Sequence, residues 1–279
     1  GSELANVHYL RNIADVETIR SGLTPGSNLV IVGAGYIGLE VAAIAKKCGL
    51  NVTVLEMAER PLHRAVAPEL SDFYTKLHSD AGVDLRCNVH IESFSGNGAV
   101  TGVNLKNAST VPADMVIIGI GIVPNTELAE AAGLTIDNGI AVDEFGRTED
   151  PSILSAGDCT SHPNRLLGRR LRLESVHNAL EQAKTVACTI CGERAEYAQI
   201  PWFWSDQYDI KLQIVGLSEG YDTVILRGEP ASNRFSAFYL KGNKLLSVDA
   251  INSAREFLLA KKLLAKGAEL DVEQLKDMS

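Results

Sequence analysis

The 279-residue chain has no apolar run that approaches the roughly 20 residues needed to cross a bilayer. No membrane association is expected from it. Its first residues, Gly1-Ser2-Glu3-Leu4, show neither the basic n-region nor the apolar h-region of a secretory signal. Cationic surplus is also missing. Lys and Arg number 26 against 35 Asp and Glu, a net charge of −9, and a phosphate backbone attracts the opposite balance, so nucleic acid is not the expected partner. The five cysteines (48, 87, 159, 188 and 191) are odd in number and scattered. That pattern fits a reducing cytoplasm better than a disulfide scaffold. The six histidines show no HExxH or comparable spacing, so no metal is expected. No internal repeat or low-complexity tract is evident. What remains is an ordinary globular balance, 46% hydrophobic and 22% charged, in a length that suits two or three domains.

Local patterns supply the elements. Residues 28–33 read as a buried parallel strand that ends in glycine. Residues 36–48 read as a helix, with Ile37, Val41, Ile44, Ala45 and Cys48 as its apolar stripe and Gly49 as its stop. Residues 51–57 form a second, β-branched strand, and 68–80 a helix opened by Pro68. Short alternating strands over 83–107 are broken by the hairpin-like Gly96-Asn97-Gly98, and 114–119 is another buried strand. Residues 134–157 read as short strands and turns. A long helix follows over 174–190, with Ala179, Ala183, Val186, Ala187 and Ile190 as its apolar stripe. From Pro201 the pattern is antiparallel, with strands near 210–216, 221–227, 234–240 and 244–251, then an amphipathic helix over 253–265. These place domains at 1–127, 128–200 and 201–279: an α/β first domain, a middle segment, and an α+β C-terminal domain with an antiparallel sheet.

Gly33-Ala34-Gly35-Tyr36-Ile37-Gly38 is the first motif that carries chemistry. A lone GxGxxG is weak, but this one ends a strand and opens a helix, the context it requires. Gly33 permits the turn, Gly35 lets a pyrophosphate approach the backbone, and Gly38 lets the helix pack on the strand. The phosphates then meet free N–H groups and the positive end of the helix dipole. Glu56 ends the second strand, 56 − 33 = 23 positions after the first glycine. A carboxylate there accepts from ribose hydroxyls and repels a 2′-phosphate, which favours NAD(H) over NADP(H).

A second signature lies at Thr148-Glu149-Asp150-Pro151-Ser152-Ile153-Leu154-Ser155-Ala156-Gly157-Asp158. It resembles the flavin motif T-x(4)-[IVL]-[FYWA]-x-x-G-D of flavoproteins with two dinucleotide folds. The stretch Asp114–Thr126 is similar to the strand by which such proteins leave the NAD domain. Glu174-Ser175-Val176-His177-Asn178-Ala179 and Pro201-Trp202-Phe203-Trp204-Ser205-Asp206-Gln207 narrow the resemblance further. Together they resemble the oxygenase-coupled, NADH-dependent ferredoxin reductases of the putidaredoxin and rubredoxin reductase type. These are FAD-dependent pyridine nucleotide oxidoreductases, and the likeness runs from about residue 7 to residue 275.

The resemblance implies two cofactors, FAD and NAD(H), and makes 1–127 a Rossmann-like NAD-binding domain, 128–200 the trailing part of the FAD-binding domain and 201–279 a C-terminal interface or dimerisation-like domain. It assigns Gly33, Gly35, Tyr36, Ile37, Gly38, Glu40, Glu56, Arg60, Gly119 and Gly121 to the dinucleotide. Gly157, Asp158, Glu174, Ser175, Val176, His177 and Trp204 go to the flavin. Glu40 resembles the glutamate beside the nicotinamide amide, against the plain reading of a helix surface charge. Trp204 would lie near the isoalloxazine, against the plain reading of a core aromatic. The implied reaction passes hydride from NADH to flavin N5 and then electrons singly to a ferredoxin or rubredoxin, with the protein supplying position and electrostatics. Family members carry two dinucleotide motifs and this sequence has one, so the resemblance implies an N-terminally truncated protein.

Three readings stay open. The chain is such a reductase, or an NADH oxidase or nitrite-reductase-type flavoprotein, or a non-catalytic NAD-binding fragment. Cys188-Thr189-Ile190-Cys191 is not read as a redox pair, because it closes a helix, whereas a redox CxxC is activated at a helix N-terminus. Arg165, Arg169, Arg170 and Arg172 read either as a solvated loop or as a patch that steers an acidic iron–sulfur protein.

Overall fold

The computed structural model describes residues 1–165, 168–271 and 275. The chain divides into two compact units: Gly1–Gly121 with Ser205–Lys211, and Ile122–Trp204 with Leu212–Ser279.

The first unit holds β1 (Val7–Tyr9), α1 (Ile13–Ser21), β2 (Asn28–Val32), α2 (Tyr36–Lys47), β3 (Asn51–Leu55), α3 (Pro68–Asp80), β4 (Asp84–Arg86), β5 (Ile91–Asn97), β6 (Ala99–Leu105), β7 (Thr110–Pro112) and β8 (Met115–Ile118). Strands β1, β8, β2, β3 and β4 pair in that order as a parallel sheet. Leu29, Val30, Ile31, Val54, Leu55, Val116 and Ile117 are at most 1% exposed, as expected of strands buried on both faces. Strands β5, β6 and β7 form a separate antiparallel sheet, and Gly98 at φ 82° turns the β5–β6 hairpin. Neither β1 nor α1 is evident from sequence pattern. Helix α1 carries a capping box between Asn12 and Asp15, but Ile19 is its only buried residue, so it shows no strong periodicity.

The second unit begins with α4 (Glu127–Ala131), β9 (Ile140–Ala141), β10 (Thr160–Asn164), β11 (Arg169–Leu171) and α5 (Val176–Ile190). The strands β12 (Trp202–Gln207), β13 (Ile210–Gly216), β14 (Thr223–Glu229), β15 (Arg234–Lys241) and β16 (Lys244–Ile251) follow, then α6 (Ala254–Ala265), with the Ser205–Lys211 part of β12 and β13 assigned to the first unit. The last five strands pair in the order β12-β13-β16-β15-β14. Phe257, Ala260 and Leu264 of α6 join Val215, Phe238, Leu240 and Val248 in one core. The α/β class and the antiparallel C-terminal sheet are as the sequence implies.

Two apolar stripes read from sequence are corrected. In α2 the buried residues are Gly38, Leu39, Ala42, Ala43 and Ala45, while Ile37 and Ile44 are exposed. The helix lies so close to β2 that small residues fill the contact: a Cβ on Gly38 would sit 2.1 Å from the Gly33 carbonyl oxygen. In α5 the buried residues are Asn178, Gln182, Thr185 and Thr189, while Ala183, Ala187 and Ile190 face outward. This helix packs on loops whose backbone groups need partners. Gln182 Oε1 accepts from Gly157 N–H, Thr189 donates to the Phe145 carbonyl, and Asn178 Nδ2 donates to the Leu173 carbonyl. The helical period survives, but in polar residues.

Candidate functional site

In the first unit the glycine loop, β3 and α2 converge at the carboxyl end of the parallel sheet, where ligands of such sheets bind. Gly33 has φ 101°, and a Cβ there would lie 2.5 Å from the Gly119 carbonyl oxygen. Gly33 therefore serves both the turn and the neighbouring strand end. A Cβ on Gly35, the N-cap of α2, meets nothing within 4 Å, and the same holds for Gly121. The space over Gly35 is a cradle that a side chain would fill. The N-cap is a glycine and offers no side-chain hydrogen bond to the first turn, the kind of helix start at which a phosphate is accommodated.

The tertiary fold brings Glu56 onto this loop. Its Oε2 accepts from Ala34 N–H at 2.7 Å, and its Oε1 from Ala58 N–H at 2.8 Å. Each oxygen keeps a second lone pair, which leaves it able to accept from a vicinal diol. The Arg60 guanidinium donates to Val66 O, Ser71 Oγ and His63 O, tying the segment over 61–67 to α3. Glu40 stands on the second turn of α2 and accepts from Ser205 Oγ at 2.6 Å. Burial raises its pKa above the usual carboxylate range, Ser205 opposes the shift, and Asp206 adds to it. Ser205 was not singled out from sequence, because it lies 165 positions from its partner.

In the second unit a cleft of about 360 Å³ is lined by Asp158, Glu174, Ser175, Val176, Ala179, Phe203 and Trp204. Five of the seven residues assigned to the flavin thus line one wall or another of a single cavity. Ser175 caps α5 by accepting from Asn178 N–H at 3.1 Å, and α5 opens on the cleft through Val176. Gly157, at φ 88°, turns the loop that delivers Asp158 and is held by Gln182. Arg172 is half-buried beside it, donating to the Asp158 carbonyl at 3.2 Å and pairing with Glu174 at 2.7 Å. His177 does not line the cleft. Its ring packs 5.3 Å from that of Trp202, which stacks in turn 5.6 Å from Trp204. A helix N-terminus, a carboxylate and an exposed indole edge suit a flavin's pyrimidine, ribityl and ring portions, and the cradle over Gly35 with Glu56 suits an adenosine pyrophosphate. The residues present fit both groups.

Sequence profiles supply the family. The pyridine nucleotide-disulphide oxidoreductase profile matches residues 1–183, and the reductase C-terminal profile matches residues 202–279. The chain belongs to the pyridine nucleotide-disulphide oxidoreductase family. It is 46% identical over 277 residues to putidaredoxin reductase CamA of Pseudomonas putida, covering 98% of this chain and 66% of that protein. It is 42% identical over 278 residues to rhodocoxin reductase of Rhodococcus erythropolis, covering 99% of this chain and 65% of that protein. A crystal structure of the covalent putidaredoxin reductase–putidaredoxin complex superposes with a TM-score of 0.96 at 46% identity, over 99% of this chain and 67% of that one. The chain therefore spans just under two thirds of the length of these curated relatives.

Other candidates fall outside the two sites. Cys188 lies in the last turn of α5 and Cys191 caps it. Burial, then Glu193, pushes the Cys188 thiol up, the wrong direction for a nucleophile. The arginine cluster is not a bare cationic face. Arg165 pairs with Glu196, Arg169 with Glu219, Arg170 with Asp137, and Arg172 with Glu174. Arg170 also donates to the Val142 and Ser161 carbonyls. Leu166 and Leu167, between them, lie outside the described residues. Among the described residues no helix is long and apolar enough to cross a membrane, and no group of three or more His, Cys, Asp or Glu is placed to hold a metal.

Proposed function

We propose that this chain is the NAD(H)-binding, flavin-contacting and C-terminal portion (1–127, 128–200 and 201–279) of a cytoplasmic NADH-dependent reductase that passes electrons to a ferredoxin or rubredoxin. The observation that carries the reading is the convergence of Asp158, Glu174, Ser175, Val176 and Trp204 on one cleft. These are residues the flavin resemblance assigns, and they come from three separated stretches of sequence. The names of the relatives support the acceptor class: one is a putidaredoxin reductase, and another, 37% identical over 253 residues, a rubredoxin-NAD(+) reductase.

The protein's part in this reaction is to bind, orient and exclude water. Gly33, Gly35 and Gly38 leave the helix N–H groups open to a pyrophosphate, and Glu56 takes the adenosine ribose and repels a 2′-phosphate. Glu40 is held by Ser205 as an acceptor for the nicotinamide carboxamide. FAD, when bound, accepts two electrons together and releases them one at a time. Asp158 would hold its ribityl–pyrophosphate portion, and the α5 N-terminus would favour negative charge on its pyrimidine. Trp204, 37% exposed, narrows the access of solvent to the cleft.

The test is spectroscopic. The chain mixed with FAD and freed of excess should retain visible flavin absorbance, and anaerobic NADH, but not NADPH, should bleach it. Addition of an oxidised ferredoxin or rubredoxin should restore it. A protein that binds NADH yet retains no flavin under any condition would reduce the reading to a nucleotide-binding module.

A further inference from the structure

Four hydrogen bonds run end to end through the first unit. The Tyr208 hydroxyl lies 3.2 Å from His78 Nδ1, and His78 Nε2 lies 2.8 Å from Gln207 Oε1. Gln207 Nε2 donates to Ser205 Oγ at 3.2 Å, and Ser205 Oγ donates to Glu40 Oε1 at 2.6 Å. The three interior members, His78, Gln207 and Ser205, are at most 1% exposed, so no bulk water competes for these bonds.

Simple valence gives the chain a direction. An ionised carboxylate only accepts, so Ser205 commits its one proton to Glu40. Ser205 Oγ must then accept from Gln207, which turns the amide nitrogen toward the serine and the amide oxygen toward His78. That oxygen also only accepts, so His78 carries its proton on Nε2. Burial holds the His78 pKa down, which keeps the ring neutral and leaves Nδ1 to accept from Tyr208. Every donor therefore points toward Glu40. Aligned bonds of this kind polarise one another in a low-dielectric interior. They oppose the burial that raises the Glu40 pKa.

We infer that Ser205, Gln207, His78 and Tyr208 are positioning residues that hold the Glu40 carboxylate ionised and fixed in orientation, so that it receives the carboxamide N–H of the nicotinamide. This rests on the reading of Glu40 given above, and the two are separable. ADP-ribose carries the same adenosine and phosphates as NADH but no nicotinamide, so the ratio of the two affinities isolates the carboxamide contact from damage to the glycine loop.

The experiment measures NADH and ADP-ribose dissociation constants for the full chain and its variants, with the His78 ring nitrogens observed by 15N NMR. Ser205→Ala and Gln207→Met should each weaken NADH roughly fivefold, about the effect of one net hydrogen bond, and leave ADP-ribose unchanged. Ser205→Thr should recover the parental ratio. In the parent chain His78 should show protonated Nε2 and unprotonated, accepting Nδ1 at neutral pH. Should Glu40→Gln leave the ratio unchanged, both the nicotinamide reading of Glu40 and the inference fall. If Glu40→Gln lowers the ratio while Ser205→Ala and Gln207→Met do not, the reading stands and the inference is overturned. Equal losses for both ligands, or an Nδ1–H tautomer at His78, also overturn it.

Discussion

Gly35 and Gly38 stand three residues apart and have opposite reasons to lack a side chain. A methyl at Gly38 would strike the Gly33 carbonyl, whereas one at Gly35 would enter empty space. Gly38→Ala should therefore destabilise the first unit by about 1–3 kcal/mol, the usual cost of overpacking. Gly35→Ala should fold with nearly the parental urea midpoint and lose nucleotide affinity, because the methyl occupies the phosphate's place. Measuring both properties for both variants checks the assignment, and a Gly35→Ala protein that binds NADH normally would count against it. Glu56 also has two roles: it ties Ala34 to Ala58 through their N–H groups and offers its remaining lone pairs to a ribose. Glu56→Ala should weaken NADH about ten- to a hundredfold, as loss of a hydrogen bond to a charged group does. Its preference for NADH over NADPH should shrink with it, since the repulsion of a 2′-phosphate goes too. Paired titrations with the two nucleotides read both effects.

At the scale of elements, α5 departs from the usual amphipathic logic: it turns amides and hydroxyls inward because the loops beneath it present backbone groups that need partners. Gln182 sits at the centre, joining Gly157 N–H to His162 Nδ1. His162 is buried, and burial takes its pKa from 6.5 to about 4. Between those values the unfolded chain binds a proton that the native chain refuses, so this group makes stability rise with pH across the window. Asp249, on β16, behaves oppositely. It is fully buried with only the Tyr239 hydroxyl for relief, and its pKa is pushed from 3.8 up to about 7. Over that range the native chain holds the extra proton, so stability falls as pH rises. The two trends oppose each other at roughly 3–4 kcal/mol apiece. Asp249→Asn should leave a stability that climbs from pH 4 to pH 6.5, and His162→Asn one that declines toward pH 7. Urea midpoints measured across the window separate the slopes. Matching slopes in both variants would mean that neither group titrates as its burial dictates.

For the whole molecule, the two nucleotide features lie in different compact units, the glycine loop in one and the flavin-suited cleft in the other. Hydrogen exchange should register this division. NADH should slow exchange around residues 33–38 and 56–58, and FAD around 156–159 and 175–179, because ligand contacts suppress local opening. Protection by NADH confined to the second unit would contradict the assignment. The charge of −9 is distributed so that each arginine of the 165–172 stretch has an acidic partner. Recognition of an acidic iron–sulfur protein by that face would require those pairs to exchange partners, and a weak salt dependence of electron transfer would follow.

The sequence by itself determined the parallel strand–helix–strand unit, its glycine loop and the acid that ends β3. It also determined the antiparallel pattern after Pro201, because these signals are local: period, punctuation and spacing. The Thr148–Asp158 stretch was legible through likeness to a motif. Tertiary structure alone decided which helix faces are buried, since burial depends on what lies opposite: small residues against β2 for α2, and polar loop backbone for α5. It alone joined Arg60 to the segment after it, matched each arginine of the 165–172 stretch with an acid, and joined Glu40 to Ser205, Gln207, His78 and Tyr208. Those hydrogen bonds close over separations of up to 165 residues, and no periodicity within one element encodes a partner that far along the chain.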